Sequence, residues 1–478
     1  MIFVGYLSSA LYGAFCLALA FFVFKMGVPK PLTRKLVHIL VGAEWFILYH
    51  TVGTGVHFLA VCIAFTVLLA LVYKFKAMPM ISSDGDNSPG TLYYGISMTV
   101  MALVSIFVYD YAYAFGIAVL CTSFGDGLAG VFGAYIKKCN PKLIGNKTLI
   151  GFLSAFFFSS ISTFIFSISY SLKLSVAECV MIGILASGIE LVCVKGLDNI
   201  AIPLSTSLFA YAFLNFSDIY LYVVPILLTP FVICVVLSRR LLTAKGVAMA
   251  VILDLAVSAS LGNFGFVLLL SFLLLSVLTD KMKKRVKGRD EISKKDGKRD
   301  EVQVFANGFI PAILALLYLF TKNYVFIIGY NVALAECLAD TFASSFGVFS
   351  KKTFDFFKLK SVPMGLSGGV SVTGTLAALM SPFAFLLISV CFGAMDWKWL
   401  LFCGTFAFIG TFIDTLLGSL IQAKYKCEVC GILTEKEIHC DHGTSLVSGS
   451  HLVDNDCVNL ISCFASAISA MIVFILIS

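Results

Sequence analysis

Long apolar runs broken by short polar stretches repeat along the whole chain. Runs near 4–24, 36–52, 54–75, 92–109, 111–136, 148–170, 174–194, 200–216, 218–238, 244–259, 262–280, 303–321, 323–348, 366–391, 397–422 and 454–477 are long enough to cross a bilayer as helices. The pattern predicts an all-α, polytopic integral membrane protein with about 16 transmembrane helices. The first run lacks a small-residue cleavage site followed by a soluble domain. It is expected to stay as an anchor rather than be removed as a signal.

The polar residues between the runs are sorted by charge. Lys25, Lys30, Arg34 and Lys35 precede the second run, and Lys74 and Lys76 follow the third. Lys137, Lys138, Lys142 and Lys147 follow the fifth, and Arg239 and Arg240 the ninth. Ten Lys/Arg lie in 281–300, and Lys351, Lys352, Lys358 and Lys360 follow the thirteenth run. If the runs alternate in direction, all these loops share one side, which the positive-inside rule makes cytoplasmic.

Composition narrows the class further. The chain is 59% hydrophobic and 13% charged, which excludes a soluble globular protein. Its 34 basic and 27 acidic residues leave +7, an excess concentrated in the orienting loops. The expected partner is therefore membrane lipid and not nucleic acid. Many of the 15 cysteines, such as Cys16, Cys62, Cys193, Cys234 and Cys391, lie inside apolar runs and act there as small hydrophobes.

One motif occurs twice. Residues 125–137 read GDGLAGVFGAYIK, and residues 339–351 read ADTFASSFGVFSK. Each has an aspartate (Asp126, Asp340), a later glycine (Gly133, Gly347) and a lysine pair at its end. A carboxylate in an apolar run is expensive and so a functional candidate. The doubling predicts two related tandem halves, 1–225 and 226–478.

In the first half, polar residues interrupt the pattern at Asp84–Tyr94, Gly125-Asp126-Gly127, Lys147-Thr148, Glu190 and Asp198-Asn199. Asp126 and Asp198 offer hard oxygen ligands for Mg²⁺. Lys147 suits a phosphate. Gly125 and Gly127 would permit close backbone approach, whereas Gly130 and Gly133 read as packing residues. In the second half Asp340, Asp414 and Asp454 could share a metal ion. Ser367, Gly368 and Gly369, with Lys358 and Lys360 nearby, suit a phosphate-binding concavity. An insert at 424–451 carries Cys427-Glu-Val-Cys430 and His439-Cys440-Asp-His442, a zinc-knuckle ligand set. Cys427, Cys430 and Cys440 are the expected sulfur ligands. The fourth is His439 or His442, with His442 carried forward as the assignment.

Arg34-Lys35-Leu-Val-His38, Gly90-Thr-Leu-Tyr-Tyr94, Gly125-Asp-Gly-Leu-Ala-Gly130, Lys147-Thr-Leu-Ile-Gly151 and Gly196-Leu-Asp-Asn-Ile-Ala-Ile-Pro203 follow one another in order. Residues 25–215 thereby resemble the phytol kinase branch of the phosphatidate cytidylyltransferase and dolichol kinase superfamily. Ile150 stands where that family carries an acidic residue. The second half has Arg299-Asp300 through Asn307-Gly308, Ala339-Asp340-Thr341, Gly365–Ser371, Asp414-Thr415 and Asp454-Asn455-Asp456 with Asn459. It resembles a widespread membrane family, long without an assigned function, whose plant member is phytyl-phosphate kinase.

The two resemblances imply phosphoryl transfer from a nucleoside triphosphate, CTP or UTP, with Mg²⁺. The first half would phosphorylate an isoprenoid alcohol, and the second a prenyl phosphate. Asp126, Lys147, Asp198, Asn199, Asp340, Asp414 and Asp454 are the catalytic candidates. Arg34, Lys35, His38, Gly125, Gly127, Thr148, Lys360, Ser367, Gly368, Gly369, Asn455 and Asn459 are the substrate and nucleotide candidates. The rivals are cytidylyl transfer to a lipid phosphate, and lipid transport.

Overall fold

The structure is a computed structural model that describes residues 2–75, 89–193, 196–216, 218–283, 299–350, 352–355, 357, 360–363 and 365–478. Lys76, the 84–88 turn, Lys195, most of the basic stretch 281–300, Lys351 and Lys358 lie outside the described residues. The chain divides into two compact units, Met1–Cys234 and Val235–Ser478.

The first unit contains α1 (Ile2–Lys25), α2 (Lys30–Val41), α3 (Glu44–Thr51), α4 (Val56–Phe75), α5 (Gly90–Phe107), α6 (Tyr111–Leu120) and α7 (Gly127–Tyr135). A hairpin of β1 (Lys142–Ile144) and β2 (Lys147–Thr148) leads into α8 (Leu149–Ser169), α9 (Val176–Val192) and α10 (Asp198–Asn215). The unit boundary falls within α11 (Val223–Ser238).

The second unit contains α12 (Ala244–Lys283), α13 (Glu301–Thr321) and α14 (Val325–Gly347), then a hairpin of β3 (Phe354–Asp355) and β4 (Lys360–Ser361). After α15 (Val372–Cys391) and α16 (Trp397–Leu420) comes a sheet of β5 (Lys424–Cys427), β6 (Leu433–Thr434), β7 (Ile438–His439) and β8 (His442–Ser448). Its order is β6-β5-β8-β7, and α17 (Asn455–Ile477) follows it.

Twelve helices among the described residues are long and apolar enough to cross a membrane, against the 16 or so expected. The physical reasons are local. The run at 36–52 breaks at Gly42, where a Cβ would lie 2.6 Å from Ser123 Cβ, and becomes the short α2 and α3. Helix α9 has only 17 residues, and α10 is rich in buried polar residues (Asn199, Ser205, Thr206, Ser207). The runs at 244–259 and 262–280 are two helical segments that meet at Gly262, whose backbone is not helical (φ 60°, ψ −144°), and together they make the one long element α12. Exposed residues such as Phe15, Phe22, Ile165, Leu274 and Ile475 coat outer faces, the surface that a membrane protein gives to lipid.

The helices that carry the repeated motif are the most enclosed. In the apolar stretches of Tyr111–Tyr135 and Val325–Gly347, 72% and 78% of residues are buried, against 17–44% in the other spans. Each is therefore a central helix, shielded from lipid by its neighbours. Helix α14, for instance, packs on α13, α15, α16 and α17.

Each unit then repeats one local device. Thr148 caps α8 by accepting from Gly151 N (3.3 Å), and Ser371 caps α15 by accepting from Gly374 N (3.2 Å). Gly133 packs on Gly151 just as Gly347 packs on Gly374. In both units the motif helix and the helix after the hairpin thus touch through glycine. A Cβ on Gly374 would lie 2.8 Å from the Ala343 carbonyl oxygen and 2.9 Å from Ser371 Oγ. Gly374→Val should therefore cost about 1–3 kcal/mol through overpacking. Thermal unfolding in detergent should show a clear loss for it and little change for Gly13→Ala, which meets nothing within 4 Å.

Candidate functional site

The first-unit site is built around Asp126. The helix that began as α6 widens into a π segment, Cys121–Asp126, before continuing as α7. Such segments interrupt regular helix geometry and often mark functional positions. Asp126 ends this one and is only 3% exposed. Lys35 of α2 reaches it, with Nζ 2.8 Å from each carboxylate oxygen and 3.1 Å from the Asp126 carbonyl oxygen. It reaches there over Gly130, whose Cβ would lie 2.5 Å from Lys35 Cε. His38 Nε2, one helical turn on, lies 3.4 Å from Asp126 Oδ2 and 3.1 Å from the Thr122 carbonyl oxygen.

The other polar interruptions converge on the same place. Lys147, at the foot of α8, bonds Glu190 near the end of α9 and lies 3.8 Å from Asp198 Oδ2 at the start of α10. Asp126, Glu190 and Asp198 each place a carboxylate oxygen within 4.8 Å of the others. Three hard oxygen donors at this separation fit a divalent cation. Arg34 and Asn199 meet at Gly90, whose Cβ would lie 3.1 Å from both Arg34 Nη2 and Asn199 Nδ2. Ser97 Oγ ties this edge to α10 through the Asn199 carbonyl oxygen at 3.2 Å. Lys147, Glu190 and Asp198 lie at or near the adjoining ends of α8, α9 and α10, and Asp126 meets them from the central helix.

Burial alone would push Lys147 toward the neutral amine. Glu190, Asp198 and Asp126 outweigh that cost, and the ammonium is held well above the usual lysine range.

Several expected ligand contacts are spent inside the protein. A Cβ on Gly127 would lie 2.6 Å from Ile39 Cγ1, and one on Gly125 would strike Ser159 Oγ. Both glycines admit neighbouring side chains rather than an open phosphate site. Thr148 is occupied as a helix cap.

The second-unit site is a cavity of about 610 Å³. Asp340, Asp414, Asp454, Ser367, Gly368, Gly369, Asn455 and Asn459 all line it. Asp280, Glu435, Glu437 and Asp456 add four more carboxylates. Arg299 also lines it but is bonded to Asp280 at 2.9 Å. So acidic a wall repels a bare phosphate and suits cations or a cation-bound phosphate. Asp340, Asp414 and Asp454 share the cavity without forming a close trio like that of the first unit, among the described residues. Asp454 caps α17, its Oδ1 accepting from Asp456 N and Cys457 N at 3.1 Å each. Asn459, with its amide nitrogen turned inward, donates to Asp414 Oδ2 at 3.2 Å. Lys360 lies exposed on β4 and is not among the lining residues.

The glycine loop is bent as expected, with Gly365 at φ 89° and Gly368 at φ 83°. Gly368 sits so close to α16 that a Cβ would be 2.6 Å from Ser419 Cα, so no other residue fits there. Ser367, however, already donates its N–H (3.0 Å) and its hydroxyl to Glu435. Gln422 Nε2 donates to Ser367 Oγ at 3.0 Å.

The sequence pattern of an integral membrane family designated DUF92 matches residues 227–467, half of the chain and nearly all of the second unit. The chain belongs to this family. An uncharacterized membrane protein of Methanocaldococcus jannaschii is 31% identical over 44% of this chain and 85% of its own length. A protein named phytol kinase, from Synechocystis, is 30% identical over 38% of this chain and 80% of its own length. Protein VTE6, chloroplastic, of Arabidopsis thaliana is 24% identical over 38% of this chain and 57% of its length. Each alignment covers less than half of this chain, about the size of one unit. No solved structure matches.

Sequence reasoning left two carboxylates of the DUF92 protein without a role. Glu190 stood out as a lone charge in an apolar run, and its partner Lys147 came from a separate motif. Glu435 lies in the insert, and nothing in its local sequence pointed to Ser367. In the insert, Cys427, Cys430, Cys440 and His439 come together, whereas His442 does not join them. His442 Nδ1 lies instead 2.8 Å from the Cys440 carbonyl oxygen.

Lys147→Met would leave Glu190, 7% exposed, without its cation. The cost should fall below the ~3–5 kcal/mol of a fully buried pair, because Lys147 keeps 31% exposure. Melting in detergent should show that loss, and part of it should return in the Lys147→Met/Glu190→Met double variant. Because the Lys147 pKa is raised on folding, its stabilising contribution is fully present below the ordinary lysine pKa of about 10.4. It should disappear only as pH rises through the raised value. A pH series of melting curves checks this by comparing the wild-type protein with Lys147→Met.

Proposed function

We propose that this chain is a membrane-embedded isoprenoid kinase with two active units. The first converts an isoprenoid alcohol to its monophosphate, and the second converts a prenyl monophosphate to the diphosphate. The observation that carries this reading is the repeated placement of carboxylates in both units. Asp126, Glu190 and Asp198 gather at one point in the first, and Asp340, Asp414 and Asp454 line one cavity in the second. The relatives named phytol kinase supply the reaction class.

In each step an oxygen of the lipid attacks the terminal phosphorus of CTP or UTP. The bond to the bridging oxygen breaks, and a nucleoside diphosphate leaves. Little covalent help is needed, so the protein acts by positioning and by charge. Asp126 and Asp198 would hold Mg²⁺ in the first unit, and Asp340 and Asp414 in the second. Bound Mg²⁺ would offset the charge of the donor phosphates. Lys147 stays charged at working pH and, with Arg34 at the Asn199 edge, offers cations for the phosphates, while Lys35 holds the Asp126 carboxylate. His38 and Asn199 orient the same edge. In the second unit the loop Ser367-Gly368-Gly369, Asn455 and Asn459 shape the phosphate end of the cavity.

This reading puts both sites on the cytoplasmic side, where the positive-inside rule would put the basic stretches Lys25–Lys35, Lys137–Lys147 and Arg239-Arg240.

Asp126→Asn should lower alcohol phosphorylation at least ~100-fold while supplied prenyl phosphate is still converted. Asp340→Asn should make the monophosphate accumulate. Thin-layer separation of lipid products reads both. If each variant retained both steps, the site assignments would fail.

A further inference from the structure

The insert between α16 and α17 folds as a four-stranded sheet. We propose that Cys427, Cys430, His439 and Cys440 bind a structural Zn²⁺, and that the metal holds Glu435 against the Ser367 loop of the neighbouring cavity.

The ligand geometry comes first. The four donor atoms lie within 4.8 Å of one another. His439 Nδ1 is 3.5 Å from Cys430 Sγ and 3.2 Å from Cys440 Sγ. A tetrahedral Zn²⁺ at about 2.3 Å from sulfur and about 2.0 Å from nitrogen separates such ligands by roughly 3.5 Å. The residues present therefore fit the ion. Cys427 ends β5, and the backbone amides of Val429 and Cys430 point at its sulfur. Gly431 (φ 75°) closes that turn, its N–H donating to the Cys427 carbonyl oxygen at 2.9 Å.

The second pair of ligands comes from the β7–β8 turn. Cys440 and Asp441 sit there at φ 52° and 60°, a region unfavourable to residues with a Cβ. That turn places the side chains of adjacent residues, His439 and Cys440, on one centre. Positive φ at both residues is the geometry of a tight two-residue hairpin turn, so the β7–β8 pairing itself brings the two side chains together.

The two ligand pairs bracket the segment 431–438, and Glu435 lies in its middle. The segment is also stitched to β8: Thr444 N donates to the Glu437 carbonyl oxygen at 3.0 Å, and Thr444 Oγ1 donates to that of Lys436 at 2.8 Å. Glu435 leaves this frame and is 8% exposed. It accepts the Ser367 N–H at 3.0 Å and the Ser367 hydroxyl. The zinc insert is thus a brace whose working end is a carboxylate on the glycine loop. This inference rests on the insert and the loop and does not depend on the kinase reading.

The test uses the full chain purified in detergent, with metal content by mass spectrometry, the visible spectrum after Co²⁺ replacement, and hydrogen exchange by mass spectrometry. The wild-type protein should hold one zinc and give a tetrahedral thiolate–Co²⁺ spectrum. Cys430→Ser and His439→Ala should cut zinc occupancy at least tenfold after dialysis, and His442→Ala should keep it. Chelating zinc from the wild type should speed exchange in the 365–371 peptide and leave the peptide around Asp126 unchanged. Glu435→Ala should keep zinc and still loosen 365–371. Absence of zinc together with no thiolate–Co²⁺ spectrum would overturn the site. Zinc retained in His439→Ala, or lost in His442→Ala, would overturn the ligand set. Unchanged exchange at 365–371 after chelation would overturn the brace.

Discussion

A carboxylate buried among apolar helices must find a cation, and that requirement organises the first unit. Asp126 lies in the central helix, where lipid and water are both excluded. Lys35 and His38 reach it from α2, and that contact requires α2 to pass close over α7. Glu190 and Asp198 make the same demand on Lys147, which draws the hairpin foot of α8 toward the ends of α9 and α10. Neutral packing alone would not bring these chain segments to one point. Removing one partner would cost more than the pair contributes, because the remaining charge stays buried.

The second unit meets the same requirement differently. Its carboxylates face a cavity rather than a bonded lysine, and Arg299 is already paired with Asp280. Lysines bonded to acids offset the charge in one unit. In the other, carboxylates such as Glu435 and Asp454 are held by hydroxyl and backbone N–H donors at the cavity wall. The common scaffold is visible beneath this difference. A central helix with Asp and Gly seven residues apart (Asp126 and Gly133, Asp340 and Gly347), a short hairpin and a hydroxyl-capped helix packed through glycine recur in the same order.

Much of this was legible in the residue pattern. Hydropathy located nearly all the long helices, and the repeated aspartate motif marked the two most enclosed ones. The expense of a charge in an apolar run singled out Asp126, Asp340 and Asp414. Contacts between distant segments were less legible. Lys35 looked like a free nucleotide contact because sequence spacing does not show which carboxylate a long side chain will reach. Thr148 read as a ligand residue, yet its hydroxyl meets a local need at the start of α8. His442 and His439 are equally plausible by spacing, and only the left-handed turn at Cys440-Asp441 separates them. The break between the runs at 244–259 and 262–280 does fall at Gly262, where the backbone leaves the helical region.

The account depends most on which phosphorus atom the lipid oxygen attacks. The decisive measurement compares CTP labelled at the γ-phosphorus with CTP labelled at the α-phosphorus, using the purified chain, Mg²⁺ and a C15–C20 isoprenoid alcohol. The account predicts label in lipid mono- and diphosphate from the γ position and none from the α position. Lipid labelled from the α position would show nucleotidyl transfer and contradict it. So would the absence of labelled lipid across CTP, UTP and several alcohols.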